Sequence, residues 1–175
     1  MSHNSAYRSD IDGLRGIAVV AVLLYHANWG IEAGYLGVDV FFVISGYLII
    51  GQLNEQIKNG SFSLLAFWDR RIRRLIPTTF LTIITTYVVG YFVLYPSDLK
   101  ELYESGVYAA LFTSNFYFWS SQSYFSSDSL LVPLLHTWSL AVEEQFYILF
   151  PIFLILFWRF GIKVVISVII TSFFL

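Results

Sequence analysis

Apolar residues run along this chain in blocks close to the roughly 17 to 25 residues that a helix needs to cross the hydrocarbon core of a bilayer. The first block runs from Gly13 to Trp29 and the second from Leu36 to Leu53. The third, Leu75 to Tyr95, contains no charge at all. A fourth, Tyr103 to Trp119, is short, and the polar, turn-like stretch SSQSYFSSDS follows it. The fifth runs from Pro133 to Trp158, with Pro133 placed where proline favours a helix start. A sixth begins near Ile162 and is still apolar at Leu175. The pattern predicts an all-α, polytopic transmembrane helix bundle of five helices and a partial sixth, as one truncated membrane domain over residues 1–175. The polar connection from Asn54 to Asp69 is helix-compatible and suited to the interface, as a loop within that domain.

Composition narrows the class further. Hydrophobic side chains make up 57% of the 175 residues and charged ones only 13%, far below the roughly 25% charged of soluble domains, and the mean hydropathy is +0.69. Aromatic residues reach 19%, which suits helices that cross two membrane interfaces. The basic residues are few and mostly clustered in one segment, so a nucleic-acid partner is not expected. No cysteine is present, which removes disulfides, thiolate nucleophiles and cysteine-ligated metals. The polar N-terminus, MSHNSAYRSDIDGLRG, lacks the pattern of a signal peptide, and the first helix is expected to stay in the mature protein.

Orientation follows from the retention of Lys and Arg in cytoplasmic loops. With the N-terminus inside, Arg8, Arg15, Lys58, Arg70, Arg71, Arg73 and Arg74 are cytoplasmic, and Lys100, Arg159 and Lys163 lie outside. The N-terminus is therefore expected in the cytoplasm.

Ionisable groups within spans are costly, at about 2.5 to 3.5 kcal/mol each on insertion scales, and mark interiors or functional paths. Arg15 and His26 lie eleven positions apart, within about 20° of one helix face and about 16 Å apart along it. Asp12, three residues before Arg15, can pair with it. Arg15 reads either as a snorkelling anchor or as part of a polar path toward the membrane's middle. His26 reads either as a hydrogen-bonded core residue or as a group for proton transfer near neutrality. The second span carries Asp39 near its outer end, and the Ser45–Gly46 step permits close helix approach. The segment RRIRR, Arg70 to Arg74, acts as a topological stop, as a phosphate site, or as both, since guanidinium forks match phosphate geometry. In the fifth block His136 and Glu143 are seven apart, nearly eclipsed on a helix. At least one of Glu143 and Glu144 is expected to meet an arginine or histidine from another helix.

Four blocks together, YRSDIDGLRGIAVVAVLLYHA, GYLGVDVFFVISGYLI, FWDRRIRRLIP and PLLHTWSLAVEEQFYILFP, resemble in content and order the N-terminal portion of the acyltransferase 3 membrane domain. The resemblance covers Tyr7 to Leu156. The family's arginine-to-histidine signature falls on Arg15 and His26, its basic motif on Arg70 to Arg74, and its acidic block on Glu143 and Glu144. It implies a membrane-bound transferase that moves an acyl group, acetyl by expectation, from cytoplasmic acyl-CoA to a hydroxyl of a cell-surface glycan or lipid in a bacterial cytoplasmic membrane. On that basis Arg15, His26 and Glu143 are expected to be catalytic. Arg70, Arg71, Arg73 and Arg74 are expected to hold the donor's phosphates, and no metal or permanently bound cofactor is expected. His26 would be a general base or a transient acyl carrier. Members of the family extend beyond the point where this chain stops, so the chain alone is expected to be inactive. Two other classes fit polar residues in apolar helices: a transporter with no covalent chemistry, and a non-catalytic fragment. The RRIRR segment discriminates, because a transporter gains little from a polyanion site.

Overall fold

The computed structural model describes residues 8–120 and 132–158, and among these the regular structure is entirely helical. The elements are α1 (Ser9–His26), a 3₁₀ turn (Glu32–Leu36), α2 (Gly37–Lys58), α3 (Leu64–Val93), α4 (Pro96–Ala110), α5 (Ser114–Ser120) and α6 (Thr137–Trp158). Three stretches among the described residues are long and apolar enough to cross a membrane: Glu32–Lys58, Leu64–Val93 and Thr137–Phe157. The sixth expected span lies outside the described residues. The chain divides into two compact units, residues up to Phe62 and residues from Ser63 onward.

In the first unit α1 packs against the 3₁₀ turn and α2. The contact is made by glycines. A Cβ on Gly37 would lie 2.6 Å from the Ala18 carbonyl oxygen and 2.7 Å from Val22 Cγ2, and one on Gly34 would collide with the Ala21 carbonyl oxygen. Small residues at these two places let the backbones meet, as in membrane helix pairs generally. At Gly46 an added Cβ would meet nothing within 4 Å among the described residues.

In the second unit α3 packs on α4, α4 on α5, and α6 on α3, α4 and α5. α3 begins at Leu64, well before the apolar run, because the Ser63 side chain accepts a hydrogen bond from Ala66 N (3.3 Å) and caps the helix. At about 1.5 Å per residue its first eleven residues add roughly 16 Å ahead of the apolar run. The polar connection expected over Asn54–Asp69 is thus mostly helix, and only residues 59–63 link α2 to α3. Ile83, Leu102, Ala109 and Leu134 form a buried cluster with Tyr87, Leu94, Leu99 and Ala110 against it. Tyr87 donates to the Tyr103 carbonyl oxygen (2.8 Å), and Gly106 leaves room for the Tyr87 ring.

The fourth and fifth expected spans are corrected. Tyr103–Trp119 is two helices, because the chain breaks after α4 at Phe112, whose φ of 54° lies in the left-handed region. Pro133 does not open α6. Leu134 has φ 66°, which no right-handed helix accommodates, and the helix starts at Thr137 after its hydroxyl donates to the Leu134 carbonyl oxygen (2.7 Å).

Candidate functional site

In the first unit the polar face of α1 is formed in part as the spacing predicts. Arg15 Nη1 lies 3.9 Å from Asp12 Oδ1, a loose i, i+3 pair. Arg15 is half-buried and His26 exposed. His26 is the last residue of α1, which corrects its expected place inside a span that runs on to Trp29. The helix stops there because Asn28 turns to φ 55° and Gly30 to φ 78°. His26 Nδ1 lies 2.8 Å from the Val22 carbonyl oxygen, which can only accept, so Nδ1 carries the proton. In the neutral ring Nε2 is then the basic nitrogen. Tyr25 packs edge-on against the His26 ring, with centroids 5.3 Å apart. Asp39 lies in the first turn of α2, where the helix dipole favours a carboxylate.

In the second unit the four arginines separate. Arg71 is half-buried, with its guanidinium carbon 4.7 Å from the Tyr147 ring centroid and 5.6 Å from that of Phe67, within cation–π range. Arg73 forks onto Asp69, with Nε at 2.9 Å from each carboxylate oxygen. Arg70 and Arg74 are exposed and make no ion pair among the described residues.

The acidic block sits on α6 beneath Arg71. Tyr147 donates its hydroxyl to Glu143 Oε1, one turn earlier. Glu144 is only 8% exposed, and its Oε1 has no hydrogen-bond partner among the described residues. Arg71 of α3 and Glu143 of α6 share Tyr147, whose ring takes the guanidinium and whose hydroxyl donates to the carboxylate. His136 stands immediately before α6, and Glu143 lies in its second turn.

Two contributors are absent from the sequence reading. Trp68 Nε1 donates to the Tyr147 carbonyl oxygen at 3.2 Å, and the signal for it is Pro151, four residues after Tyr147, which has no N–H to fill that carbonyl. Gln145 Nε2 donates to the Phe112 carbonyl oxygen (3.0 Å) and to Asn115 Oδ1 (2.9 Å), while Asn115 Nδ2 donates back to Gln145 Oε1 (3.2 Å). This amide pair fastens the break after α4 to α6. Among the described residues no group of three or more His, Asp or Glu side chains is placed to hold a metal ion.

Long apolar helices with buried and half-buried charged groups define an integral membrane protein with polar chemistry between its helices. A family model described as an acyltransferase domain matches residues 8–175, and the chain belongs to the acyltransferase 3 family. It is 44% identical over 158 residues to the peptidoglycan O-acetyltransferase OatA of Listeria monocytogenes, covering 89% of this chain and 25% of that protein. It is 39% identical over 153 residues to the O-acetyltransferase OatA of Staphylococcus aureus, covering 86% of this chain and 25% of that one. With the putative peptidoglycan O-acetyltransferase YrhL of Bacillus subtilis the identity is 42% over 153 residues, covering 85% and 24%. The chain thus spans about a quarter of the length of the curated relatives it matches. No solved structure matches it significantly.

Proposed function

We propose that this chain is part of a membrane O-acetyltransferase that takes an acetyl group from cytoplasmic acyl-CoA and delivers it to a hydroxyl of a cell-wall glycan, with the N-terminus cytoplasmic. Relatives bearing the names of peptidoglycan O-acetyltransferases support the acceptor class. The donor reading rests on the exposed arginines that precede the apolar part of α3, since planar guanidinium groups pair with phosphates bidentately.

The observation that carries the reading is the hydrogen bond from His26 Nδ1 to the Val22 carbonyl, which leaves Nε2 as the proton acceptor. In the proposed step the acceptor hydroxyl oxygen attacks the thioester carbonyl carbon as its proton passes to His26 Nε2. The tetrahedral intermediate then collapses with cleavage of the carbon–sulfur bond, and the imidazolium returns its proton to the departing thiolate. An ester and free CoA thiol result. Arg15, paired with Asp12 on α1, and Glu143, bonded by Tyr147 on α6, are each assigned a supporting role. With His26 as acyl carrier the first attack would come from Nε2 itself, and the same nitrogen is required.

The test uses the full-length protein in its native membrane. His26→Gln and His26→Ala should each lower base-labile acetate in the cell wall by about 100- to 10,000-fold in rate at normal protein levels. Substantial activity in His26→Gln would reduce the histidine to a hydrogen-bonding role and sink the proposal.

A further inference from the structure

The arginine segment enters the donor reading as one cluster, yet its side chains do different things. Around α3, Phe67, Trp68 and Arg71 fall within an arc of about 100°, and all three engage the protein. Phe67 is buried, Trp68 donates to the Tyr147 carbonyl, and Arg71 covers the ring of that same Tyr147. Arg73 lies roughly opposite the middle of this arc and is already matched by Asp69. Arg70 and Arg74 remain, about 40° apart around the axis and about 6 Å apart along it.

From this geometry we propose that Arg71 is a positioning residue, and that Arg70 and Arg74 are the pair that receives the donor's phosphates. The inference rests on the donor reading above and assigns its residues. Moving Arg71 out to a phosphate would uncover the Tyr147 and Phe67 rings that its guanidinium now covers. Arg71 and Trp68 both act on Tyr147, so they fix the rotation of α3 and thereby the direction in which Arg70 and Arg74 point. The ligand chemistry of that pair is a phosphomonoester or pyrophosphate. The same chemistry is offered by an anionic lipid headgroup, and the test separates the two.

The experiment uses the full-length protein in nanodiscs, with acetyl-CoA as the probe and a soluble glycan fragment as acceptor. Arg70→Lys with Arg74→Lys should raise the KM for acetyl-CoA about tenfold or more, because each lysine loses the bidentate fork. Arg71→Lys keeps a cation over the Tyr147 ring, so the KM for acetyl-CoA should stay within about twofold of the unaltered protein's. Arg71→Ala and Tyr147→Leu should each lower the unfolding temperature and be non-additive together, whereas Arg70→Ala and Tyr147→Leu should be additive. A KM increase in Arg71→Lys equal to that of the double variant, or additivity of Arg71→Ala with Tyr147→Leu, would overturn the division of roles. An Arg70/Arg74 effect seen in anionic nanodiscs and absent from zwitterionic ones would reassign the pair to lipid headgroups. An unchanged KM in that pair in both nanodiscs would sink the donor reading, while the Arg71–Tyr147 coupling would still report on positioning.

Discussion

The indole N–H of Trp68 on α3 fills the backbone carbonyl of Tyr147 on α6 at 3.2 Å, an acceptor left open because Pro151 stands where the helix would supply its donor. One proline thus creates the docking point at which α3 meets α6. The same tyrosine carries Arg71 on its ring and Glu143 on its hydroxyl, so backbone, ring and hydroxyl are each used by a different residue.

Trp68→Phe, which keeps the aromatic bulk and removes the donor, should destabilise the full-length protein by about 1 to 3 kcal/mol, the cost of an unfilled carbonyl away from water. Restoring a backbone N–H with Pro151→Ala should make Trp68→Phe nearly neutral. Thermal unfolding of the two single variants and the double variant in detergent measures this, and equal losses in both backgrounds would mean that the indole acts through packing alone.

Gly37→Ala should weaken the α1–α2 contact, since the added Cβ would lie 2.6 Å from the Ala18 carbonyl oxygen, and backbone cannot swing aside as a side chain can. The expected loss is about 1 to 3 kcal/mol. Gly46→Ala, whose Cβ meets nothing within 4 Å, serves as the control. Alanine favours helix over glycine, so Gly46→Ala should not destabilise, and comparable loss at both positions would show that the Gly37 contact is not the cause.

Gln145→Leu should cost about 1 to 3 kcal/mol, because it strands the Phe112 carbonyl and the Asn115 amide together. Asn115→Leu added to it should cost less than the sum of the two single changes, since the second removes a group already left unpaired. Strict additivity of the unfolding temperatures would show that the pair is not formed.

Reporter fusions after Gly60 and after Ser97 should lie on opposite sides of the membrane, the first cytoplasmic, because the 30-residue α3 lies between them and the arginines precede its apolar part. Identical localisation would remove the N-inside topology and, with it, a cytoplasmic place for the donor.

The membrane class, the helical content, the family and the Asp12–Arg15 pair are legible from the residues alone. Hydropathy accumulates along a chain without any partner, and an i, i+3 pair on one helix is set by helix geometry. Three things were decided only by tertiary structure. Helix ends moved to where single residues take left-handed backbone, at Asn28, Phe112 and Leu134, and a run of apolar side chains carries no mark of such a break. Gly34 and Gly37, not Gly46, became the points of contact, because a small residue permits approach and only the opposing helix makes it. The RRIRR segment reads as four equivalent cations in sequence. Its division into a ring-stacked Arg71, an ion-paired Arg73 and the outward Arg70 and Arg74 depends on how α3 is rotated, and that rotation is set by Trp68 and Tyr147, whose contact spans 79 positions of the chain.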